Sequence, residues 1–433
     1  MLRISSFIHL FQPHLQQAFQ AAIDAAVASS VSRKTALLLD QPREFRLASP
    51  NSSVHAPVLS IANATSSYGL RIDGCGASVV VTTPTAGLFH ITEARNLRIG
   101  NLTVDYEPLP MTQGYVIATG PSLLEYTLRL QPGFPSLMLP HFLETLGGGW
   151  GESGAAWVLV KDPEHPSRPK VGSLNLIKIA NWTDLGGGTF HVKMLHCSDC
   201  AVCSGCTLLA TEWEAARPKV GDPVVHIARY DAYPTFGMSR CTDCEFDGIT
   251  IHASPSGSWV GIGLSGLVIR NAAVEPAPGR WQASNADGVF VIDSRTGPVI
   301  KHSRLVATGD DAVVVKTFGG RCASETSGVW TLTGYWSLMA QVGDVFAVWN
   351  HSDVHGLPAA VGVVATVSGT AQTPRVTFVD PMPPSVACGT NDLLCACGES
   401  DWDSDWDSDW DPDCNATHTR LSLRGCWRLD SLC

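Results

Sequence analysis

Three aspartates lie in one short stretch, at a spacing that could bring them together. Residues 287–291 (Asp-Gly-Val-Phe-Val) are nearly repeated 24 residues later by residues 311–315 (Asp-Ala-Val-Val-Val), and Asp310 precedes the second copy. Carboxylates a few ångströms apart cannot all ionise cheaply, so they share a proton and one pKa rises. A carboxylic acid beside carboxylates is what a glycosidase uses to protonate the leaving oxygen and activate water. The alternative is a pair of ordinary turns, in which Asp and Gly are common.

The 24-residue offset requires a fold in which the chain returns to the same place one strand spacing higher. Short β-branched runs separated by turn residues surround the aspartates, and Gly248, Asn271 and Ser303 align as equivalent turn positions. Strands this short bury an apolar face only by stacking, and they leave no room for crossover helices. A parallel β-helix is therefore predicted, with Ile249, Ile269 and Ile300 in one interior column. One coil rises about 4.8 Å, which places Asp287 beneath Asp311.

Other stretches of the chain depart from this repeat. Apolar residues at helical spacing between 15 and 28 predict an N-terminal helix that caps the edge of the first coils, within residues 1–110. Longer alternating runs predict antiparallel β insertions at 111–222 and 322–385, on either side of the catalytic coils at 223–321. The Cys-rich, acidic tail at 386–433 is expected to be disordered.

The aspartate motifs and one upstream segment resemble known enzyme families. Asn-Ala-Asp-Gly followed by Gly-Asp-Asp-Ala resembles the aspartate motifs of polygalacturonases and other pectin-lyase-like hydrolases, although the Gly-His-Gly and Arg-x-Lys of that family are missing. The segment at 101–114, with the spacing from Asp287 to Asp310 and Asp311, more closely resembles glycoside hydrolase family 110. That resemblance covers roughly residues 15–385.

The resemblance to family 110 implies an all-β fold, a right-handed parallel β-helix with β-barrel insertions. It implies an inverting exo-hydrolase that removes terminal α-1,3-linked galactose from glycans or polysaccharides. Asp310 would be the general acid, and Asp287 and Asp311 would hold the attacking water. No metal ion and no cofactor would take part.

Four further residues are predicted to bind the substrate. Arg280 and Trp281 lie on an extra loop ahead of Asp287, where an aromatic face could stack on a sugar ring, although a Trp packed on its own coil fits equally well. Asn285 belongs to the Asn-x-Asp motif of the resemblance. Lys316 follows the aspartate pair and could neutralise it or bind a hydroxyl group.

Composition restricts the partners of the protein and its compartment. Of the net charge of −11, eight negative charges lie between residues 399 and 413, so the rest of the chain is near −3 (−11 + 8), which argues against nucleic-acid binding. No apolar run is long enough for a membrane span. Six Asn-x-Ser/Thr sequons, at Asn51, Asn63, Asn101, Asn181, Asn350 and Asn415, favour a secreted or cell-surface protein, although no clear signal peptide is evident. The sequence leaves the oligomeric state open.

The cysteines leave three possibilities open. Cys197, Cys200, Cys203 and Cys206 are spaced by three residues, and Cys241 and Cys244 form a second group. Such thiols could bind zinc or an iron–sulfur cluster, form disulfides, or remain buried and free.

Two other functions compete with hydrolysis on the same scaffold. A polysaccharide lyase or epimerase would use the aspartates to bind calcium and a lysine, such as Lys316, as the base. A non-catalytic surface β-helix would bind glycans without turnover.

Overall fold

The computed structural model describes residues 2–4, 12–39, 43–50, 56–146, 155–174, 176–195, 214, 216–316, 320–333, 340–349, 360–369, 373–383 and 393–397. These residues are mostly β-strand, so the all-β prediction is confirmed, and the two helices are α1 (Gln12–Ser30) and α2 (Pro140–Leu143). Neither helix combines the length and the apolar character that a membrane span requires.

The strands fall into four consecutive groups along the chain. The first group is β1 (Leu2–Ile4), β2 (Thr35–Leu39), β3 (Glu44–Leu47), β4 (Leu59–Ala62), β5 (Leu70–Val81), β6 (Phe89–Thr92) and β7 (Leu97–Tyr106). The second is β8 (Met111–Thr119), β9 (Glu125–Leu130), β10 (Ala155–Val160), β11 (Ile177–Gly186), β12 (Thr189–Met194) and β13 (Pro223–Arg229). The third is β14 (Phe236–Ser239), β15 (Glu245–Ile251), β16 (Trp259–Ile262), β17 (Val268–Arg270), β18 (Ala273–Val274), β19 (Val289–Ile292), β20 (Val299–Lys301), β21 (Arg304–Leu305) and β22 (Val313–Lys316). The fourth is β23 (Gly320–Thr326), β24 (Val329–Thr333), β25 (Val345–Trp349), β26 (Ala360–Gly369), β27 (Pro374–Phe378) and β28 (Leu393–Cys397).

The first and third groups build two sheets. One sheet has the order β1-β2-β5-β7-β15-β17-β20, with β3, β18 and β21 paired beside it, and the other has the order β22-β19-β16-β14-β6-β4. The pairings described for these sheets are parallel, and apart from a register shift between Asp73 and Ala77 of β5, opposite β7, the cited pairs are in register. Strands distant in sequence are thereby neighbours: β6 pairs with β14 although the whole second group lies between them.

The chain turns repeatedly at residues in the left-handed conformation. One set follows the strands of the six-stranded sheet: Asn63, Glu93, Arg240, Gly263 and Asp293, with φ from 51° to 67°. A second set precedes the strands of the larger sheet: Gly69, Asn96, Asp243, Gly266 and Gly297. A third set bends those strands internally: Asn101, Gly248, Asn271 and His302. A residue in the left-handed conformation changes the direction of the main chain at a single position, so strands that follow the same path have such residues at equivalent places.

The predicted repeat alignment is right at four residues and wrong at two. Gly248 and Asn271 are equivalent corners as expected, but the third corner is His302 and not Ser303. Ile269 pairs with Ile300 as expected, whereas Ile249 pairs with Leu102, and Phe246 occupies the column in its place.

Helix α1 protects the open edge of the six-stranded sheet. The side-chain amide of Gln20 donates to Ser60 O (2.8 Å) and accepts from Ser60 N (2.8 Å), as a neighbouring strand would do for β4. Gln16 Nε2 adds a bond to Val58 O (2.8 Å), and Phe19 packs edge-on against Phe45. The helix therefore satisfies main-chain groups that an edge strand leaves unpaired.

The second and fourth groups each close into a six-stranded antiparallel barrel. The first barrel has the order β10-β11-β12-β9-β8-β13 and the second has the order β23-β24-β27-β26-β25-β28. The first barrel extends from Met111 to Arg229, somewhat beyond the predicted 111–222. The second ends with Leu393–Cys397, inside the stretch that was assigned to the tail, because this strand pairs with both β23 and β25 to close the barrel. The DWDS repeat of the tail lies outside the described residues.

The chain forms two compact units. The first contains Met1–Gly261, Leu267–Phe290 and Pro298–Val314, and so includes the first barrel and all three aspartates. The second contains Ile262–Gly266, Val291–Gly297 and the described residues from Val315 onward, including the second barrel.

Burial decreases at the last described coil. Ile269 and Val289 are fully buried (0% exposed), whereas Ile300, one strand further along, is half-buried and Val313 is 45% exposed. Strand β22, which follows Asp310 and Asp311, is therefore less buried than its neighbour β19, which follows Asp287.

The core of the first barrel contains one buried polar pair. The Tyr126 hydroxyl and His226 Nε2 lie 2.7 Å apart, and both residues are almost completely buried. Burial lowers the pKa of His226 to about 3, because a charged imidazolium would lose its hydration in the apolar barrel.

This pair predicts a pH-dependent loss of stability. Between about pH 6.5 and pH 3 the unfolded chain binds a proton at His226 that the folded chain does not, so the free energy of unfolding falls as the pH drops through this window. His226→Gln keeps a hydrogen-bond acceptor without titrating. Urea unfolding at pH 7 and pH 4 measures how much unfolding free energy is lost on acidification. This loss should be smaller in the variant than in the parent protein, by roughly 2–3 kcal/mol.

The matched control is His191→Gln, on strand β12 of the same barrel, because His191 is much more exposed. It should lose as much stability as the parent between the two pH values. If His226→Gln also follows the parent, then protonation of the buried histidine does not limit acid stability.

Candidate active site

Asp287 and Asp311 occupy equivalent positions on neighbouring strands. Each lies two residues before a strand, β19 and β22 respectively. Gly288 N donates to Asp311 O (3.0 Å), and Val289 N donates to Ala312 O (3.0 Å). These two bonds fix an offset of 24 residues between the neighbouring strands β19 and β22. The repeat in the sequence is thus the register of two parallel strands.

The glycines beside the aspartates permit the main chains of these coils to approach closely. A Cβ atom on Gly288 would lie 2.5 Å from Ala312 O, and one on Gly309 would lie 2.5 Å from Asn285 O. Main-chain atoms cannot move aside as a flexible side chain can. The Asp-Gly and Gly-Asp-Asp motifs therefore mark places where neighbouring main chains pack closely. Neither Gly288 nor Gly309 adopts the left-handed conformation in which glycine is most favoured.

The three aspartates form one cluster. Carboxylate oxygens of Asp287, Asp310 and Asp311 all lie within 4.8 Å of one another. Asp287 is buried (7% exposed), Asp310 is half-buried and Asp311 is exposed. The cluster thus extends from the protein interior to solvent, as a site that accepts a soluble substrate must do.

A buried arginine from the first barrel anchors the cluster. Arg229 Nη1 donates to Asp310 Oδ2 (2.8 Å), and Arg229 Nε donates to Asp231 Oδ1 (2.6 Å). The side chain of Arg229 is only 6% exposed, so this cation is largely removed from water while it bridges two carboxylates. Sequence reasoning missed Arg229, although a charged residue at the end of the apolar run Pro-Val-Val-His-Ile-Ala was a usable signal.

Burial and like charges raise the pKa of Asp287 to about 7. Burial is the largest cause, the Asp310 carboxylate adds to it, Arg229 opposes it, and Asp311 adds a smaller contribution. The pKa of Asp231 is also raised, by burial first, although the ion pair with Arg229 lowers it. Near neutral pH the cluster therefore contains, at Asp287, a carboxyl group that can both donate and accept a proton, beside the Asp310 carboxyl group that pairs with Arg229.

The predicted substrate-binding role of Asn285 does not fit its position. Asn285 is completely buried, and its Nδ2 donates to Pro110 O (2.9 Å) and to Ala228 O (2.7 Å). These two carbonyls belong to the chain segments that enter and leave the first barrel. Asn285 therefore fixes the loop ahead of Asp287 instead of reaching a ligand.

Two of the other predicted substrate-binding residues, Arg280 and Trp281, have contacts within the protein. Arg280 Nη1 pairs with Asp105 Oδ1 (2.6 Å). Trp281 is 8% exposed and packs edge-on against Tyr115 (5.2 Å between ring centroids), so it presents no open face for a sugar. Lys316 is an exposed residue at the end of β22 and belongs to the second compact unit.

The only described residues whose side chains could jointly hold a metal ion are the three aspartates. The Arg229 guanidinium already neutralises part of their charge, which makes the set less suited to a divalent cation. Cys241 and Cys244 are buried free thiols next to main-chain carbonyls of Ile91 and Ala94. The group from Cys197 to Cys206 lies outside the described residues.

Comparison with known proteins adds no family to this geometry. No protein-family model matches the chain, and a search of curated proteins found no match. The functional argument therefore depends on the site itself.

The cluster predicts that removal of either neighbouring carboxylate lowers the pKa of Asp287. Asp310→Asn removes the larger of the two negative neighbours, so the pKa of Asp287 should fall below about 7, while burial still holds it above the ordinary value. Asp311→Asn should lower it by a smaller amount. Carbon-13 NMR titration of labelled aspartate carboxyl groups measures both changes.

Asp184→Asn, at an exposed position on β11, is the control and should leave the Asp287 titration unchanged. A parent protein whose aspartates all titrate near pH 4 would show that the cluster does not share a proton.

Proposed function

We propose that this protein is a glycoside hydrolase that removes terminal α-galactosides, α-1,3-linked, from glycans or polysaccharides. The observation that carries the proposal is the set of three aspartates on two neighbouring strands, one buried with its pKa raised to about 7 and two closer to solvent. This set supplies an acid for the leaving oxygen and a carboxylate for the attacking water. The galactose specificity and the linkage derive from the resemblance to family 110 alone.

We further propose that the coils form a right-handed parallel β-helix. Parallel in-register pairing and three recurring left-handed corners support the helical coil, since each coil then repeats the same path one strand spacing further. The right hand follows the resemblance and the strong preference for right-handed parallel connections.

Two of the aspartates compete for the role of proton donor. The resemblance assigns the acid to Asp310, with Asp287 and Asp311 holding the water. The electrostatics of the ligand-free site favour Asp287, because its carboxyl has the raised pKa whereas Asp310 is paired with Arg229. The response of each variant to the leaving group of the substrate decides between them.

The charge of the site favours a neutral sugar over a uronic acid. Four carboxyl groups, at Asp231, Asp287, Asp310 and Asp311, lie around the Arg229 guanidinium, so acidic groups outnumber this cation. A uronate would add a negative charge to this excess, whereas a glycosyl cation developing in the transition state would be stabilised.

A polyuronate lyase or epimerase is the alternative. It requires bound calcium, so a chelator would abolish its activity, and a lyase product would carry a conjugated double bond. A non-catalytic glycan-binding protein would bind without turnover, and binding would survive Asp310→Asn.

Substitution of the aspartates tests the catalytic assignment. Asp287→Asn, Asp310→Asn and Asp311→Asn should each lower turnover of an α-1,3-linked galactosyl oligosaccharide by at least ~100-fold, the usual effect of losing an acid or base. Asn preserves the side-chain shape, so the melting temperature should stay close to that of the parent. The variant that regains activity on a nitrophenyl galactoside identifies the acid, because a good leaving group needs no proton.

Asp184→Asn controls for a general effect of removing a carboxylate. If all three site variants keep full activity on a substrate that the parent cleaves, the catalytic assignment is wrong. The anomer formed first, followed by proton NMR, is a separate test. The resemblance implies an enzyme that inverts the anomeric centre. The carboxylate oxygens of the three aspartates lie within 4.8 Å of one another, however, which is nearer to the separation of about 5–5.5 Å between the carboxyl groups of retaining enzymes.

We also propose that the protein is secreted or displayed at the cell surface. Three sequon asparagines fall within the described residues, and Asn63, Asn101 and Asn181 are all exposed. When the protein is expressed through a eukaryotic secretory pathway, Asn→Gln at each position should remove one glycan, seen as a mobility step that peptide N-glycosidase abolishes.

Asn96→Gln is the control, because Asn96 is a corner residue like Asn101 but begins no sequon. A parent protein whose mobility is unchanged by the glycosidase would contradict the secretory proposal.

A further inference from the structure

The first barrel buries both faces of two of its strands. Alternate residues of β10 and β13, such as Val158 and Val224, fill the barrel core. The residues between them face out of the barrel and are buried as well: Trp157, Leu159, Lys161, Val225, Ile227 and Arg229. An outward barrel face that is closed to solvent must pack against another part of the chain, and its hydrogen bonds identify that part.

The loop at 279–286, which leads to Asp287, is held by this barrel. Gln113 Nε2 donates to Gly279 O (2.9 Å), and Gln113 Oε1 accepts from Trp281 N (2.9 Å). The Lys161 ammonium donates to Gln282 Oε1, and Gln282 Nε2 donates to Ser284 O (2.7 Å). Two buried side chains of the barrel thus bind successive groups of the loop.

The chain of hydrogen bonds continues towards the aspartates. Ser284 Oγ donates to Ala286 O (2.8 Å), the residue directly before Asp287. Asn285 N donates to Ser254 O (3.0 Å) in the preceding coil. Displacement of Gln282 would therefore be passed along four residues of main chain to the buried carboxyl group.

From these contacts we infer that Lys161 is a positioning residue of the aspartate site and acts through Gln282. A lysine in this place is costly to the fold, since it is 2% exposed and its Nζ donates to a neutral amide. Burial lowers the pKa of Lys161 to about 7, in agreement with that cost. An apolar residue would pack on the same face with less penalty but could not hold the Gln282 oxygen.

This inference depends on the proposed hydrolase for its activity measurement but has a second measurement that does not. Lys161→Met should lower kcat by at least ~10-fold with KM within about twofold of the parent, because misplaced catalytic groups slow the chemical step without removing substrate contacts. In the same variant, the amides of Asn285 and Gly288 should exchange with solvent at least ~10-fold faster, well below the melting temperature.

Lys170→Met is the matched control on the same barrel. Lys170 Nζ donates to both carboxylate oxygens of buried Asp222 (2.7 Å each), far along the chain from the 279–286 loop. It should lower the melting temperature while kcat and the exchange of the Asn285 and Gly288 amides remain as in the parent. If Lys161→Met does not fold, Gln282→Asn tests the same contact from the loop, because its shorter side chain cannot reach both Lys161 and Ser284.

Each outcome decides one question. A parent without glycosidase activity ends the proposed function, and the exchange experiment still tests the positioning role. Unchanged exchange at Asn285 and Gly288 in Lys161→Met overturns the inference, whatever the activity. Faster exchange with kcat unchanged overturns it as well, because Lys161 would then only stabilise the fold.

Discussion

Parallel main-chain hydrogen bonding between neighbouring strands is the constraint on which the rest of the structure depends. It forces each strand to repeat the path of its neighbour, and the corners therefore recur at equivalent residues such as Gly248 and Asn271. The same register sets the distance between Asp287 and Asp311, since the amide of Gly288 donates to Asp311 O. An insertion of one residue within β22 would turn the later side chains of that strand to its other face.

The first barrel interrupts the two parallel sheets in sequence but contacts the aspartate cluster directly. Arg229, which pairs with Asp310, ends its last strand, and Asn285 is held by carbonyls at both ends of the insertion. The barrel thus determines the charge of the cluster and the course of the loop that leads to it. Without the guanidinium, the carboxylates would repel one another with no compensating cation.

The sequence predicts whatever depends on local pattern, and it fails where contacts connect distant residues. The 24-residue repeat gave the strand register and the aspartate cluster, because both follow from neighbouring coils. His302 was missed as a corner, because the adjacent Ser303 is the commoner turn residue although His302 is the one in the left-handed conformation. Arg229 lies 81 residues from its partner Asp310, and Asn285 lies 175 residues from Pro110. No periodicity reveals such pairs, and a motif such as Asn-x-Asp cannot show that its asparagine is buried.

The decrease in burial between the last two described coils has a consequence for how the cluster is held together. Asp287 belongs to a coil whose interior is closed, whereas Asp310 and Asp311 belong to one whose Val313 is 45% exposed. Segments with little buried apolar area open at a lower free energy than the core does. Fraying of this edge coil would separate two aspartates from the third while the remaining coils and the first barrel stay folded. Such an opening would be a local equilibrium separate from global unfolding, and a ligand that contacts both strands would hold the edge closed.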